Sequence, residues 1–437
     1  MRKIILAAIT LSFMMMSFMC RLGNSYSFDR NHRNATYIKM SNGIVNEEIK
    51  YYGKIKLSED ETGIASISPN GYLIYKNDDE KLSVESNYHG EITYEVNDSG
   101  KKTVLDENAK RLLAEVVKEM IAIGFDAEAR VERIYKQGGN RAVLNEIENL
   151  KADNIKAIYF ERILKSDSLS QGDLIEIAKK ISSQLGSDND KERILSRFTF
   201  AQLQYPLAVN AYLDAVENMG SDNAKENLLR QFISKDTIQQ DHFLQLFGAI
   251  NRLGSDNAKE NLIMQILRER IIPEERFDQL LDAINHLGSD NAKENLIMEI
   301  INGKNIPENH FDQLLIAINR LGSDNAKENL FSNLIGKETI EAGRFNKIIN
   351  GISQLGSDNA KTNLFRKLVD ENNKTEDQWI ALIDIAGNVN GDNEKANLLI
   401  ELANKMPTSE KIKTTYMKIA KTINSDSDFG RAVKAVQ

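Results

Sequence analysis

The chain holds few residues suited to chemistry, and their spacing is the first constraint. Five histidines, His32, His89, His242, His286 and His310, are scattered over 437 residues, and no two stand four apart as a helical pair of metal ligands would. His286 shares a column with Arg252 and Arg320 at the end of a helical segment, where a base complements the helix dipole. Asp426-Ser427-Asp428-Phe429-Gly430 and Asn388-Val389-Asn390-Gly391-Asp392 hint at calcium loops. Neither continues with Gly at position six and a bidentate Glu at twelve. No Gly-x-Ser-x-Gly elbow occurs, and 64 acids single out no carboxylate pair. The sequence nominates no catalytic residue, no metal site and no cofactor, and the chain reads as a non-enzyme.

Two polar columns are the better candidates for a function. Lys225, Lys259, Lys293, Lys327 and Lys361 recur at one spacing, followed by Lys395. Beside them run Asn227, Asn261, Asn295, Asn329, Asn363 and Asn397. One reading is an asparagine ladder bonding neighbouring repeats, with the lysines on a solvated face. The other is a row of identical groups gripping an extended partner, which makes the lysines the candidate partner-binding column.

The elements that carry these columns follow from a repeated phrase. Leu-Gly-Ser-Asp-Asn-Ala-Lys-Glu-Asn-Leu stands whole at 253–262, 287–296 and 321–330, with near-copies at 219–228, 355–364 and 185–192. Its aspartate returns every 34 residues from Asp188 to Asp426, the signature of a stacked helical array. Phe277, Leu280, Leu281, Ile284 and Leu287 form the apolar stripe of a first helix. Leu296, Ile297, Ile300 and Ile301 form that of a second. Between them Gly186, Gly220, Gly254, Gly288, Gly322 and Gly356 mark a turn, replaced by Asn390 and then Asn424. Gly and Asn are the residues that tolerate a left-handed backbone, so the column predicts φ > 0 there. Ser289 or Asp290 is placed to cap the second helix, and Pro273 and Pro307 to restart the next pair.

Columns also predict how repeats touch. Ala215, Ala249, Ala283, Ala317 and Gly351 suit close approach, and Phe243, Phe277, Phe311, Phe345 and Trp379 fill the layer between repeats. A tetratricopeptide repeat needs small residues inside both helices. Phe247, Leu281, Leu315, Ile349 and Ile383 stand where its glycine belongs, so the array is more similar to HEAT-type repeats. The charged share of 27% and five prolines fit an ordered chain. A net charge of −8 argues against nucleic acid or an anionic membrane as the main partner.

The fold class is therefore mainly α, an α-solenoid of 34-residue helix-turn-helix repeats over 140–437, preceded by a small antiparallel β domain over 36–105. Residues 106–139 supply linking helices. In the β region Tyr51, Gly53, Ile55 and Leu57 alternate with lysines, and Ser68-Pro69-Asn70-Gly71 and Asn97-Asp98-Ser99-Gly100 read as turns. Five or six strands in a meander are expected. Asp106 opens a helix with the face Leu112, Leu113, Val116, Val117 and Met120, ended by Gly124. A second helix over Ala127–Gln137 stops at Gly138-Gly139.

Residues 1–27 read as a targeting segment. Arg2 and Lys3 precede an apolar run, Ile4 to Met19, of secretory character. Cleavage is expected near 19 or after Ser27. Cys20, the one cysteine, follows the run where a bacterial lipoprotein is acylated, although Phe18-Met19 replaces the usual small residues. The expected protein is periplasmic or extracellular, with a possible lipid anchor at Cys20 and no membrane insertion of the mature chain.

Gly63-Ile-Ala-Ser-Ile-Ser-Pro-Asn-Gly-Tyr72, and Gly124-Phe-Asp-Ala-Glu-Ala-Arg-Val-Glu-Arg-Ile134 with Gly138-Gly139 after it, resemble a module of bacterial envelope proteins. That module belongs to the exported region of some membrane zinc peptidases of the β-lactam-sensor type and to their stand-alone relatives. The likeness covers about residues 45–165. The peptidase chemistry is not implied, because no histidine here is followed by glutamate as His-Glu-x-x-His requires. Two expectations follow. The first is a non-catalytic exported scaffold binding a protein or peptide through the solenoid surface. The alternative is an envelope sensor or accessory protein acting with a membrane partner, and an enzyme of unadvertised type stands behind both.

Overall fold

A computed structural model describes residues 25–29, 36–41, 46–97, 100–102, 104–166, 168–234, 242–269, 272–303, 306, 308–336, 342–371 and 374–437. The targeting segment up to residue 24, with Cys20, and Pro307 lie outside them. The chain divides into two compact units, Met1–Ile163 and Leu164–Gln437. This division falls later than the 139/140 boundary expected from Gly138-Gly139.

In the first unit strands β1 (Ser25–Asp29), β2 (Thr36–Ser41), β3 (Asn46–Tyr52), β6 (Tyr72–Lys76), β7 (Lys81–Ser86) and β8 (Ile92–Val96) form one antiparallel sheet in that order. A separate hairpin, β4 (Ile55–Leu57) and β5 (Ile64–Ile67), interrupts the meander between β3 and β6. The Ser68–Gly71 turn forms as the sequence requires: Asn70 takes φ 59 and the Gly71 amide bonds Ser68 O at 2.9 Å. The period of two puts Ile49, Leu73, Tyr75, Leu82 and Val84 on one face. Helix α1 (Glu107–Ala122) covers that face with Leu112, Leu113, Val116, Val117 and Met120. Asp106 caps it by accepting from Ala109 N at 2.9 Å. Gly124 at φ 101 ends it, with Ile155 packed where a Cβ would stand.

The helical segment α2 (Ala127–Glu146) is broken at Gly138-Gly139, as the sequence leads one to expect: Gly139 takes the non-helical φ 63 and ψ −157, open only to glycine, and a second helical stretch follows it. A buried polar cluster holds α2 and α3 (Asp153–Leu164) in the first unit. Arg130 bonds Glu61 Oε2 at 2.9 Å, Glu146 Oε1 at 2.8 Å and the Tyr159 hydroxyl at 3.1 Å.

The second unit is a run of helix pairs. The first helices are α4 (Gln171–Gln184), α6 (Pro206–Glu217), α8 (Phe243–Asn251), α10 (Phe277–Asn285), α12 (Glu308–Asn319), α14 (Ala342–Ser353), α16 (Glu376–Gly387) and α18 (Glu410–Ala420). The second are α5 (Asp188–Leu195), α7 (Asp222–Ser234), α9 (Asp256–Glu269), α11 (Asp290–Asn302), α13 (Asp324–Gly336), α15 (Asp358–Asp370), α17 (Asp392–Ala403) and α19 (Asp426–Val436). First helices pack on first helices and second on second, with a buried seam between. Of the stripe on α10, Leu280, Leu281, Ile284 and Leu287 are buried as expected, whereas Phe277 at its start is only half-buried. Each such Leu or Ile contributes roughly 1.5–3 kcal/mol by leaving water. The small-residue column is buried too. Gly351 stands where Phe331 fills the space, 2.6 Å from the position of a Cβ. Among the described residues no helix is long and apolar enough to cross a membrane.

Candidate functional site

The repeated phrase builds one linkage at successive junctions. Ser289 caps α11 by accepting from Ala292 N at 3.3 Å, and Ser221, Ser255, Ser323 and Ser357 do the same. The residue after each serine opens its helix, which aims its carboxylate at the next repeat. Asp256 Oδ2 accepts from the amides of Gly288 and Ser289, both at 2.8 Å. Asp188 meets Gly220 and Ser221 at 2.8 and 2.7 Å, and Asp222 meets Gly254 and Ser255 at 2.7 and 3.1 Å. Each of these three carboxylates thus occupies two amides at the start of the following helix, where the backbone favours negative charge, and Asp290 and Asp324 take the serine amides at 2.8 and 2.7 Å.

This linkage corrects the reading of the glycine column. Gly220, Gly254, Gly288, Gly322 and Gly356 do not take a left-handed backbone. The column favours glycine because a carboxylate of the preceding repeat lies above it, although Asn424 makes the same bond to Asp392 with a side chain in place. A Cβ on Gly288 would stand 3.1 Å from Asp256 Oδ2, and one on Gly322 3.0 Å from Asp290 Oδ2. Sequence alone cannot distinguish a required dihedral from a close approach, because both select glycine.

The lysine column also departs from expectation. Lys225, Lys259 and Lys361 are buried, each only 8% exposed, and Lys293 and Lys327 are largely covered. Each ammonium lies 3.5–4.0 Å from the aspartate three residues before it, from Lys225 with Asp222 to Lys327 with Asp324. The stems pack into the seam and only the charged ends reach outward. These residues are parts of the junction, not an open face offered to a partner.

The asparagines form the ladder. Asn227 bonds Glu192 at 2.9 Å, Asn295 bonds Glu260 at 2.8 Å, Asn329 bonds Glu294 at 2.8 Å and Asn363 bonds Glu328 at 2.9 Å, always one repeat back. The second-helix columns are thus occupied by contacts within the array.

The first helices differ. Their outward positions vary from repeat to repeat: Leu244, Asp278, Asp312 and Asn346 at one column, Gly248, Asp282, Ile316, Asn350 and Asp384 at another. An open groove of about 460 Å³ lies between α12 and α14, lined by Asp312, Ile316, Asn319, Arg320, Lys347 and Gln354. Lys347 Nζ pairs with Asp312 at 3.0 Å across it. Leu244 and Ile316 are about half exposed.

Of the histidines, His286 sits at the end of α10 with Nδ1 2.7 Å from Asp282 O, the helix-end position expected of it. His310 is buried against the Phe277 ring, with Nδ1 3.3 Å from Asp278 Oδ1. Among the described residues no group of three or more His, Cys, Asp or Glu is placed to hold a metal ion.

The Arg130 cluster had no signal in the sequence, since Glu61 and Arg130 are 69 positions apart. Burial opposes the Arg130 charge, yet Tyr159 and Glu146 hold its pKa above the ordinary arginine value.

No family model matches the chain, and no curated protein matches it. A solved structure described as computational design of self-assembling cyclic protein homooligomers aligns over 74% of this chain and 96% of its own. Its identity is 15% and its TM-score 0.12, a likeness too slight to bear on function. The chain stands as a helical-repeat protein with a small N-terminal antiparallel β domain.

Proposed function

We propose that this chain is a non-catalytic, exported scaffold that binds a protein or peptide partner along the first-helix face of its repeats. The observation carrying this reading is the contrast between the two faces. The aspartate, lysine and asparagine columns of the second helices are spent on junctions, and identical junctions demand identical residues. The outward positions of the first helices carry such a duty only in places, as where Asp278 and Asp312 meet His310 and Lys347 of the next repeat. Along those positions the side chains differ from repeat to repeat, which suits a surface that recognises one irregular partner. Export rests on Arg2, Lys3 and the apolar run to Met19. Cleavage near 19 is favoured over cleavage after Ser27, which would cut β1.

The test is capture from the native envelope by the chain and by two variants. Asp282→Arg with Ile316→Asp and Asn350→Arg should abolish retention of the partner, and Asn257→Arg with Asn291→Arg on the second helices should not. Equal retention by both variants refutes the first-helix face. Intact mass of the protein from its own host checks export, since residues 1–19 should be missing.

One observation favours a second reading, the envelope sensor acting with a membrane partner. The stretch resembling the exported module of β-lactam-sensor-type peptidases covers about residues 45–165, and the first compact unit ends at Ile163. If the first-helix variant keeps its partner and deletion of residues 25–163 loses it, this reading takes precedence.

A further inference from the structure

The junction between α15 and α17 lacks three features that recur at every earlier junction of the array; the last junction, with Ala396 and Arg431 in the ladder columns, keeps two of them. Asn390-Gly391 stands where the earlier ones have Gly-Ser, so Gly391 opens α17 without a side-chain cap. Among the described residues neither backbone amide there donates to Asp358. Asn390 instead brings its side-chain Nδ2 to 3.5 Å from Asp358 Oδ2, and Asp358 Oδ1 is buried without a hydrogen bond. Thr362 stands in the glutamate column, so Asn397 has no carboxylate one repeat back. The backbones of α15 and α17 also draw apart, whereas every other neighbouring pair of second helices in the second unit stays in close contact.

On the other side of this joint the contacts resume. Asp392 Oδ2 accepts from the amides of Asn424 and Ser425 at 3.1 and 2.9 Å. Arg431 bonds Asn393 and Asn397 at 3.0 and 2.6 Å, and Lys395 donates to Thr422 at 3.1 Å. The layer of first helices is unbroken through α14, α16 and α18. Across the joint in the second layer remain Arg366 with Glu401 at 3.3 Å, and Lys405 with Asp370, both at the surface.

We infer that the chain carries a built-in joint here, at which the second-helix layer opens while the first-helix layer acts as the hinge. Residues 392–437 then move as one block, because their own junction is fully bonded. The device lets the last repeats change their angle to the array without unfolding, and the first-helix face flexes with them. The inference rests on the bonding pattern alone and is independent of the proposed partner.

Hydrogen exchange on the full chain tests it. Amides in the bodies of α17 and α19 should share one opening rate, at least about tenfold faster than those of α13 and α15. Thr362→Glu with Asn390→Gly and Gly391→Ser installs the usual contacts, and should slow both helices together by about tenfold or more. The converse change, Glu328→Thr with Gly356→Asn and Ser357→Gly, should move α15 into the fast class. Exchange that is graded from the end, fastest in α19 and slower in α17, and unmoved by either variant, is simple end fraying and overturns the joint.

Discussion

Asp256 Oδ2 lies 2.8 Å from the amide nitrogen of Ser289, a residue 33 positions later that opens the second helix of the next repeat. The same oxygen takes the Gly288 amide, and Oδ1 lies 3.9 Å from Lys259 Nζ. One carboxylate therefore joins two helix starts and its own lysine. Asp256→Ala should cost about 1–2 kcal/mol, since one exposed and one half-buried amide lose a charged acceptor and can turn partly to water. Gly288→Ala should cost about 1 kcal/mol by forcing the carboxylate back. In urea melts the double change should cost less than the sum of the two. Strict additivity would mean that the two residues do not act through one contact.

Lys259 contributes mostly through its stem. Lys259→Met should change stability by less than about 1 kcal/mol, because the packing survives and the loose pair with Asp256 is worth little. Lys259→Glu should cost about 3 kcal/mol or more by placing a second acid beside Asp256 in a covered site. Thermal melts of both variants check this. A Glu variant as stable as the parent would return the column to the solvated surface.

Arg130 ties the loop after β4 to α2 and α3 through Glu61, Glu146 and Tyr159. Arg130→Met should cost about 3 kcal/mol, chiefly because Glu146 is left half-buried without its cation and Glu61 keeps only the longer pair with Arg133 at 3.5 Å. Adding Glu146→Gln to that change should recover part of the loss. A double variant as unstable as the sum of the single ones would locate the role of Arg130 in packing instead.

Two buried tyrosines at one repeat column should respond oppositely. The Tyr416 hydroxyl bonds Ala432 O at 2.8 Å, so Tyr416→Phe should cost about 1 kcal/mol. The Tyr212 ring packs against those of Phe198 and Phe232, and its hydroxyl is buried with no hydrogen-bond partner among the described residues, so burial raises its pKa. Tyr212→Phe should be neutral or stabilising. Chemical melts of the pair decide it, and a loss at Tyr212 matching that at Tyr416 would require a hidden partner for its hydroxyl.

The sequence by itself determined the architecture, because periodicity is a local property. The 34-residue return of the aspartate, the apolar stripes of α10 and α11, and the alternation through Tyr51–Leu57 each specify an element without reference to distant residues. The asparagine ladder was half legible: its spacing was plain, and its glutamate partners needed the stacking register. The tertiary structure alone decided what the repeated glycine and lysine are for. Gly288 looked like a left-handed turn because glycine answers both to φ > 0 and to crowding, and only the carboxylate of Asp256 above it distinguishes the two. Lys293 looked solvated because lysine usually is, and only the packing of its stem against the seam covers it. Arg130 with Glu61 left no trace, since a contact across 69 positions has no period to betray it.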